Sequence, residues 1–153
     1  MNKYETLLNE ANVEGLIVKE KSLKYNNGRI KGNRIAIRKD IETTVKKACV
    51  LAEELGHYYT TVGNIIDLEN PGNRKQERQA RLWAYNKQIG LRGLIQAYEY
   101  GCRSRHKIAE YLEVTEDFLQ EAIECYRNKY GIGTVIDNYY IMFIPNLQIM
   151  KVI

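Results

Sequence analysis

The segment 46–60 most constrains the fold, because its apolar residues recur with the period of an α-helix. Its sequence is KKACVLAEELGHYYT. At about 100° per residue, one stripe collects the apolar side chains of this segment and of the residues just before it: Ile41, Val45, Ala48, Ala52, Leu55 and Tyr59. We therefore predict a central helix that turns this stripe towards the core, with Asp40 as its N-cap.

The opposite side of this helix carries the residues of chemical interest. Glu53 and His57 lie one turn apart there, and Cys49 and Val50 border them. Because this second face is not uniformly polar, we expect another element to cover it. A covered cluster that includes Glu54 needs a partner, since unpaired charge inside a protein is costly, and a divalent cation is one such partner.

The alternative is an exposed ion pair on a solvated helix face, which would be worth only about 0.3–0.5 kcal/mol. Gly56 favours the covered site. Glycine inside a helix costs about 1 kcal/mol relative to alanine, and it is usually retained where another group approaches the backbone closely.

Residues 53–57, EELGH, differ at one position from the pattern H-E-x-x-H. In that pattern two histidines, one turn apart on a helix, bind Zn²⁺ and the intervening glutamate handles the proton. Here Glu53 replaces the first histidine.

Short helical and β-strand elements are predicted before the central helix. They are a helix over 2–12, a strand over 16–19, a turn at 26–28, and a hairpin with arms 29–31 and 34–38. Gly32 and Asn33 form the two-residue turn of that hairpin.

A loop and further helices are predicted after it. The loop covers 61–74, and the helices cover 75–88, 91–101, 106–112 and 115–130. In the first of these helices Glu77, Ala80 and Ala84 share one face, so the two small residues allow a neighbour to come close and Glu77 points at it. Thr115 caps the last helix.

The C-terminal residues 135–136 and 139–144 flank Asp137 and Asn138 as a terminal hairpin. Its apolar residues occupy both faces, so it is packed on another element or paired with another chain, which leaves room for a homodimer.

Composition indicates a single small globular domain of 153 residues, with 44% hydrophobic residues. A net charge of +4 permits weak attraction to nucleic acid but does not argue for it.

Three cysteines, Cys49, Cys102 and Cys125, do not form a disulfide framework. The N-terminus lacks an apolar signal region, and no run reaches the roughly 18 apolar residues of a membrane span. We therefore expect a reduced, cytoplasmic protein.

The chain resembles the ImmA/IrrE family of metallo-endopeptidases, which phages, integrative elements and bacterial chromosomes encode. AEELGHY at 52–58 corresponds to a family motif that usually reads AHELGHY, and ERQARLWA at 77–84 corresponds to E-x-x-A-N-x-F-A. IAEYLEVTEDFL at 108–119 matches the helix-turn-helix-like region that follows. The departures are Glu53 for histidine, Arg81 for asparagine and Trp83 for phenylalanine.

This resemblance implies an α+β fold. It comprises a mainly helical zincin-like domain with a small N-terminal antiparallel sheet, a helix-turn-helix-like pair and a C-terminal β-hairpin. The expected divisions are a metallopeptidase core over 1–90, the helix-turn-helix-like region over 91–130 and the hairpin over 131–153.

The resemblance also implies roles for single residues. Glu54 matches the general base, which passes a proton from the attacking water to the leaving amine. His57 and Glu77 match metal ligands, and Glu53 stands where the first histidine ligand is usual. The implied activity is cleavage of a helix-turn-helix repressor, which derepresses a phage or mobile element.

A donor set of one imidazole and two carboxylates is acceptable to zinc. With the cation its net charge is 0, against +1 for two histidines and one glutamate, so the pKa of a bound water falls less and hydrolysis is slower. The additional oxygen ligand makes Mn²⁺ or Mg²⁺ more competitive, but we still expect Zn²⁺.

Two further residues are weaker candidates. Cys49 lies one turn before Glu53 and is either an additional thiolate ligand or, as we favour, a buried core residue. His106 follows Arg105 and stabilises an oxyanion, donates a proton or, as we favour, is an exposed histidine at a helix start.

Two other functional classes compete with the peptidase. A family member with a broken metal site would bind a repressor or another protein without cleaving it. The pair 108–130 could instead bind DNA, but its second helix is acidic and phosphates would be repelled, which argues against direct DNA binding. For a peptide substrate, we expect strand addition at the edge of the 29–38 hairpin.

Overall fold

The computed structural model describes residues 1–61 and 71–152, with the backbone alone for 71–73. The predicted loop therefore lies largely outside the described residues. The predicted α+β class is confirmed: helices alternate with two small sheets. The chain divides into two compact units, Met1–Ala84 and Tyr85–Ile153.

The first unit combines a three-stranded sheet with helices. Its elements are α1 (Lys3–Val13), β1 (Ile17–Lys21), β2 (Gly28–Lys31), β3 (Arg34–Arg38), α2 (Thr44–Thr60) and most of α3 (Pro71–Gln88). The helix α3 begins at a proline, which suits the first helical position because it has no N–H to leave unpaired.

The sheet of this unit has the order β1-β3-β2. The predicted two-residue turn is confirmed, since Lys31 and Arg34 face each other across it in antiparallel β2 and β3. The sheet is mixed rather than antiparallel throughout, because β1 runs parallel to β3. The third strand thus lies centrally, and its alternating Ile35 and Ile37 are buried.

The central helix α2 buries the predicted stripe along most of its length, with Ala48, Ala52 and Leu55 at 2% exposure or less, and it also buries Leu51, which the predicted stripe omitted. The stripe ends early, because Tyr59 is 44% exposed. Its ring instead stacks on Trp83, with 5.1 Å between centroids.

The predicted cap at Asp40 is wrong. The Thr43 hydroxyl accepts a hydrogen bond from the backbone N–H of Lys46 at 3.1 Å and is the N-cap of α2. Asp40 lies three residues earlier, with its carboxylate 3.7 Å from Nε of Arg38. A threonine nearer the first helical turn therefore replaces the aspartate as the cap.

The second unit contains three helices and a second sheet. Its elements are α4 (Gly90–Tyr100), α5 (Arg105–Leu112), α6 (Glu116–Tyr130), β4 (Gly133–Ile136), β5 (Tyr139–Met142) and β6 (Gln148–Lys151). The predicted cap at Thr115 is confirmed, since its hydroxyl accepts from the N–H of Phe118 at 3.0 Å.

The C-terminal sheet is antiparallel with the order β4-β5-β6. Its predicted turn at Asp137 and Asn138 is confirmed, but the predicted hairpin omitted β6. The strand β5 is central, so Tyr139 and Ile141 are buried. No helix in the described parts of the chain combines the length and apolar character needed to cross a bilayer.

Candidate active site

The helices α2 and α3 touch at Gly56. A Cβ placed on Gly56 would overlap the carbonyl oxygen of Ala80 and would lie 3.0 Å from its carbonyl carbon. The backbone of α3 therefore occupies the space of a side chain on α2. This confirms the expectation that a neighbour approaches Gly56 closely and that a small residue at position 80 permits it.

Near this contact, a residue of α2 faces a residue of α3: His57 follows Gly56 on α2, and Glu77 lies three residues before Ala80 on α3. Nε2 of His57 lies 3.4 Å from Oε2 of Glu77, and the two side chains are 18% and 24% exposed. An imidazole nitrogen and a carboxylate oxygen from different helices thus face one another in a partly covered position.

The carboxyl of Glu54 lies in an unusual electrostatic environment. Burial, together with the negative charges of Glu53 and Glu77, raises its pKa to about 7. A carboxyl whose pKa is close to neutral can both accept and donate a proton under physiological conditions.

The start of β2 covers this part of α2. A Cβ placed on Gly28 would lie 2.7 Å from Cγ1 of Val50, 3.0 Å from Cγ of Glu54 and 3.2 Å from its Oε1. The expected cover of the second helix face is therefore a strand. The sequence pattern placed Gly28 in a turn, although a glycine at a strand position often marks such close approach.

Arg81 is a second feature that the pattern did not single out. Its Nε lies 3.4 Å from Oε1 of Glu77, one turn earlier on α3. The spacing of four residues between opposite charges was the available signal. Glu77 therefore has one oxygen near His57 and the other near Arg81.

Comparison with known families now bears on this arrangement. The family model of the IrrE N-terminal-like domain, Peptidase_M78, matches residues 11–124. The chain belongs to this family. Its predicted ImmA/IrrE membership is confirmed, and with it membership of a metallopeptidase family. Searches of curated proteins and of solved structures each found no match.

Metallopeptidase membership implies a metal, typically zinc, and the donor set can be tested against one. His57 and Glu77 offer a nitrogen and an oxygen at converging positions, which suits zinc. In the described residues, however, no three His, Cys, Asp or Glu side chains gather as a metal-holding group. The fit is therefore partial: two donors converge, and Glu53 is not gathered with them.

The two weaker candidates lie away from this arrangement or inside the core. His106 is 64% exposed in the first turn of α5 and lies 3.3 Å from Glu116 and 3.6 Å from Glu110. Its position matches the favoured interpretation as an exposed histidine at a helix start. Cys49 is 5% exposed on α2, which matches the favoured interpretation as a buried core residue, and it forms no disulfide with the described cysteines.

Proposed function

We propose that this protein is a metal-dependent endopeptidase. His57 and Glu77 hold the cation, Glu53 supplies a third ligand by a change of side-chain conformation, and Glu54 is the general base. The observation that carries the proposal is the convergence of His57 and Glu77 from two helices, at 3.4 Å, beside a glutamate whose pKa is about 7.

The protein's own groups divide the work of peptide hydrolysis. The carboxylate of Glu54 accepts a proton from the attacking water and returns it to the leaving amine. The backbone at Gly28 lies against this side chain and partly covers it. When bound, the cation would polarise the scissile carbonyl and promote deprotonation of water.

The replacement of histidine by Glu53 sets the expected rate and metal preference. A second carboxylate reduces the net positive charge of the loaded site, so we expect slower hydrolysis than in members with two histidines. We expect Zn²⁺ as the metal, with Mn²⁺ competing better than it does at a two-histidine site.

The proposed substrate is a helix-turn-helix repressor, cleaved in the cytoplasm, with derepression of a phage or mobile element as the outcome. Family membership supports this part of the proposal. Among the described residues β2 pairs with β3 alone, and its other edge, which begins beside Glu54, supports binding of the substrate as an extended strand.

A second candidate is a repressor-binding protein that does not cleave. Glu53 at the position of a ligand histidine favours this alternative. The two candidates separate when the protein is mixed with a helix-turn-helix repressor, because cleavage gives fragments and simple binding gives a stable complex. Fragments that persist in Glu54→Gln would contradict the assigned base.

Metal analysis tests the ligand assignment directly. Zinc titration of purified protein should give about one equivalent, and His57→Ala should weaken binding at least tenfold. The matched control is His106→Ala, which removes the other of the two histidines and should leave binding unchanged. Equal zinc binding by His57→Ala and the unaltered protein would refute the metal assignment.

A further inference from the structure

The positive charge of this protein is concentrated in its N-terminal sheet. Residues 17–38 contain seven lysines or arginines and a single acidic residue, Glu20, whereas the whole chain has a net charge of only +4. The carboxylate of Glu20 is engaged by Nζ of Lys47 at 2.7 Å and by the Tyr4 hydroxyl at 2.9 Å.

Strand alternation places six of these cations on one side of the sheet, of which Arg38, opposite Lys21, is half-buried and the other five are exposed. The registers pair Ile17 with Arg34 and Lys19 with Ala36 across β1 and β3, and they pair Arg29 with Ala36 and Lys31 with Arg34 across β2 and β3. Paired residues in adjacent strands share a face. We call the exposed cations of this side the basic face: Lys19, Lys21, Arg29, Lys31 and Arg34.

The basic face is open and is not neutralised by the described residues. It lines a shallow depression of about 280 Å³ together with Ile17 and Ala36. Within 1–61 and 71–152, no carboxylate lies within 4.0 Å of any of the five cationic groups. The opposite side of the sheet carries the buried Ile35 and Ile37. The sheet therefore presents one apolar side to its own unit and one cationic side to solvent.

The outer strand β2 links the basic face to the candidate active site. The backbone of Asn27 bonds towards β3, since its carbonyl accepts from the N–H of Arg38 at 2.7 Å. Because hydrogen-bonding direction alternates along a strand, the backbone groups of Gly28 and Ile30 point away from β3. No strand in the part of the chain that the structure describes pairs with this edge of β2, which begins where Gly28 lies against Glu54.

We infer that β2 binds an extended peptide whose acidic side chains occupy alternate positions. A strand added at this edge would lie about 4.8 Å from β2. Every second side chain would then stand beside Arg29 or Lys31, and the remaining ones would face α2. This inference rests on the proposed function, because it assigns a substrate preference to the same site.

The same surface is poorly suited to nucleic acid. The basic face and the residues that line its depression include no aromatic side chain on which a base could stack. Phosphates at the β2 edge would also approach the carboxyl group of Glu54, which lies against Gly28. A peptide avoids that repulsion, because its alternate side chains can differ in charge.

The test measures binding without cleavage. The full chain is titrated in chelator with fluorescent peptides of about ten residues, and binding is followed by anisotropy. One peptide alternates Glu with Thr, a second has the same composition with its Glu residues in one block, and a third alternates Lys with Thr. A single-stranded oligothymidylate of similar charge is the fourth probe.

We expect the alternating acidic peptide to bind most tightly. Replacing Arg29→Gln and Lys31→Gln together should weaken that binding about fivefold at low salt, and less at about 0.15 M salt. The matched control, Lys46→Gln with Lys151→Gln, removes the same charge from two exposed lysines elsewhere and should leave the affinity unchanged.

Three results would overturn the inference. They are equal binding of the blocked and alternating acidic peptides, tighter binding of the oligonucleotide, and unchanged binding in the Arg29→Gln, Lys31→Gln protein. Because chelator removes any metal-dependent reaction, failure here is distinct from failure of the peptidase proposal. Absence of cleavage with zinc present, combined with intact peptide binding, would leave this inference standing and refute only the proposed activity.

Discussion

The contact between α2 and α3 makes a specific prediction for Gly56→Ala. In an exposed helix this change would stabilise by about 1 kcal/mol, because alanine has the higher helix propensity. Here the new methyl group would overlap the carbonyl oxygen of Ala80 and would lie 3.0 Å and 3.3 Å from its carbonyl carbon and Cα. These atoms belong to backbone, so no side-chain rotation relieves the clash.

The magnitude follows from two opposed contributions. Overpacking of a close contact costs about 1–3 kcal/mol, and the gain in helix propensity offsets about 1 kcal/mol of this. We expect a net loss of up to about 2 kcal/mol. For a unit of this size each 1 kcal/mol corresponds to a fall in melting temperature of roughly 4–8 °C.

The assay is thermal and urea unfolding of Gly56→Ala beside Gly93→Ala. Gly93 also lies inside a helix, α4, but a Cβ there would meet only Cδ2 of Leu112 at 3.4 Å and Cγ2 of Ile89 at 3.9 Å. This control should be neutral or stabilising by up to about 1 kcal/mol. If Gly56→Ala proved as stable as Gly93→Ala, the close approach of the two motif helices would be refuted.

Two smaller predictions concern the same unit. Thr43→Ala should lower the free energy of unfolding by about 1 kcal/mol, whereas Asp40→Ala should change it by less than about 0.5 kcal/mol. Urea unfolding measures both values. A larger loss for Asp40→Ala than for Thr43→Ala would restore Asp40 as the cap. Hydrogen bonds from Lys47 and Tyr4 hold the pKa of Glu20 below its usual value of 4.5. Glu20 therefore stabilises the fold fully at pH values above 4.5. This stabilisation is lost as the pH falls through the lower pKa of the folded state. Glu20→Gln should therefore cost at most about 1 kcal/mol at pH 7, because the side chain is partly exposed, and almost nothing in strong acid; an equal loss at both pH values would contradict this.

The sequence predicted most of the elements because their signals are local. The period of α2, the two-residue turns of both sheets and the cap at Thr115 depend on residues within a few positions of each other. The close approach at Gly56 was also predictable, because a glycine inside a strong helix pattern has few explanations other than a neighbouring backbone.

The features that the sequence pattern missed depend on long-range pairing. The parallel alignment of β1 with β3 joins strands that are separated by β2, and no local signal specifies it. The strand β6 is short and half exposed, so its period-2 pattern is weak. The cap of α2 required a choice between Asp40 and Thr43, both good caps, and the exact start of a helix is the least predictable part of its pattern.

At the candidate site, the sequence predicted the pairing of His57 with Glu77 but not the place of Glu53. Motif spacing indicates which residues share a helix face, and the contact at Gly56 then brings two faces together. Rotamers decide whether a third side chain joins them. The position of the Glu53 carboxylate depends on the torsion angles of its side chain, which motif spacing does not specify.

The two oxygens of Glu77 have different neighbours, and this bears on which ions the site could select. Arg81 lies beside Oε1, so only Oε2 is turned towards His57. A carboxylate that offers one oxygen suits a small cation with few ligands, such as zinc. Calcium binds six to eight oxygens and often both oxygens of one carboxylate, so it would have to compete with the Arg81 guanidinium for Oε1. An arginine that is itself no ligand would thereby discriminate between cations by the number of oxygens that they require.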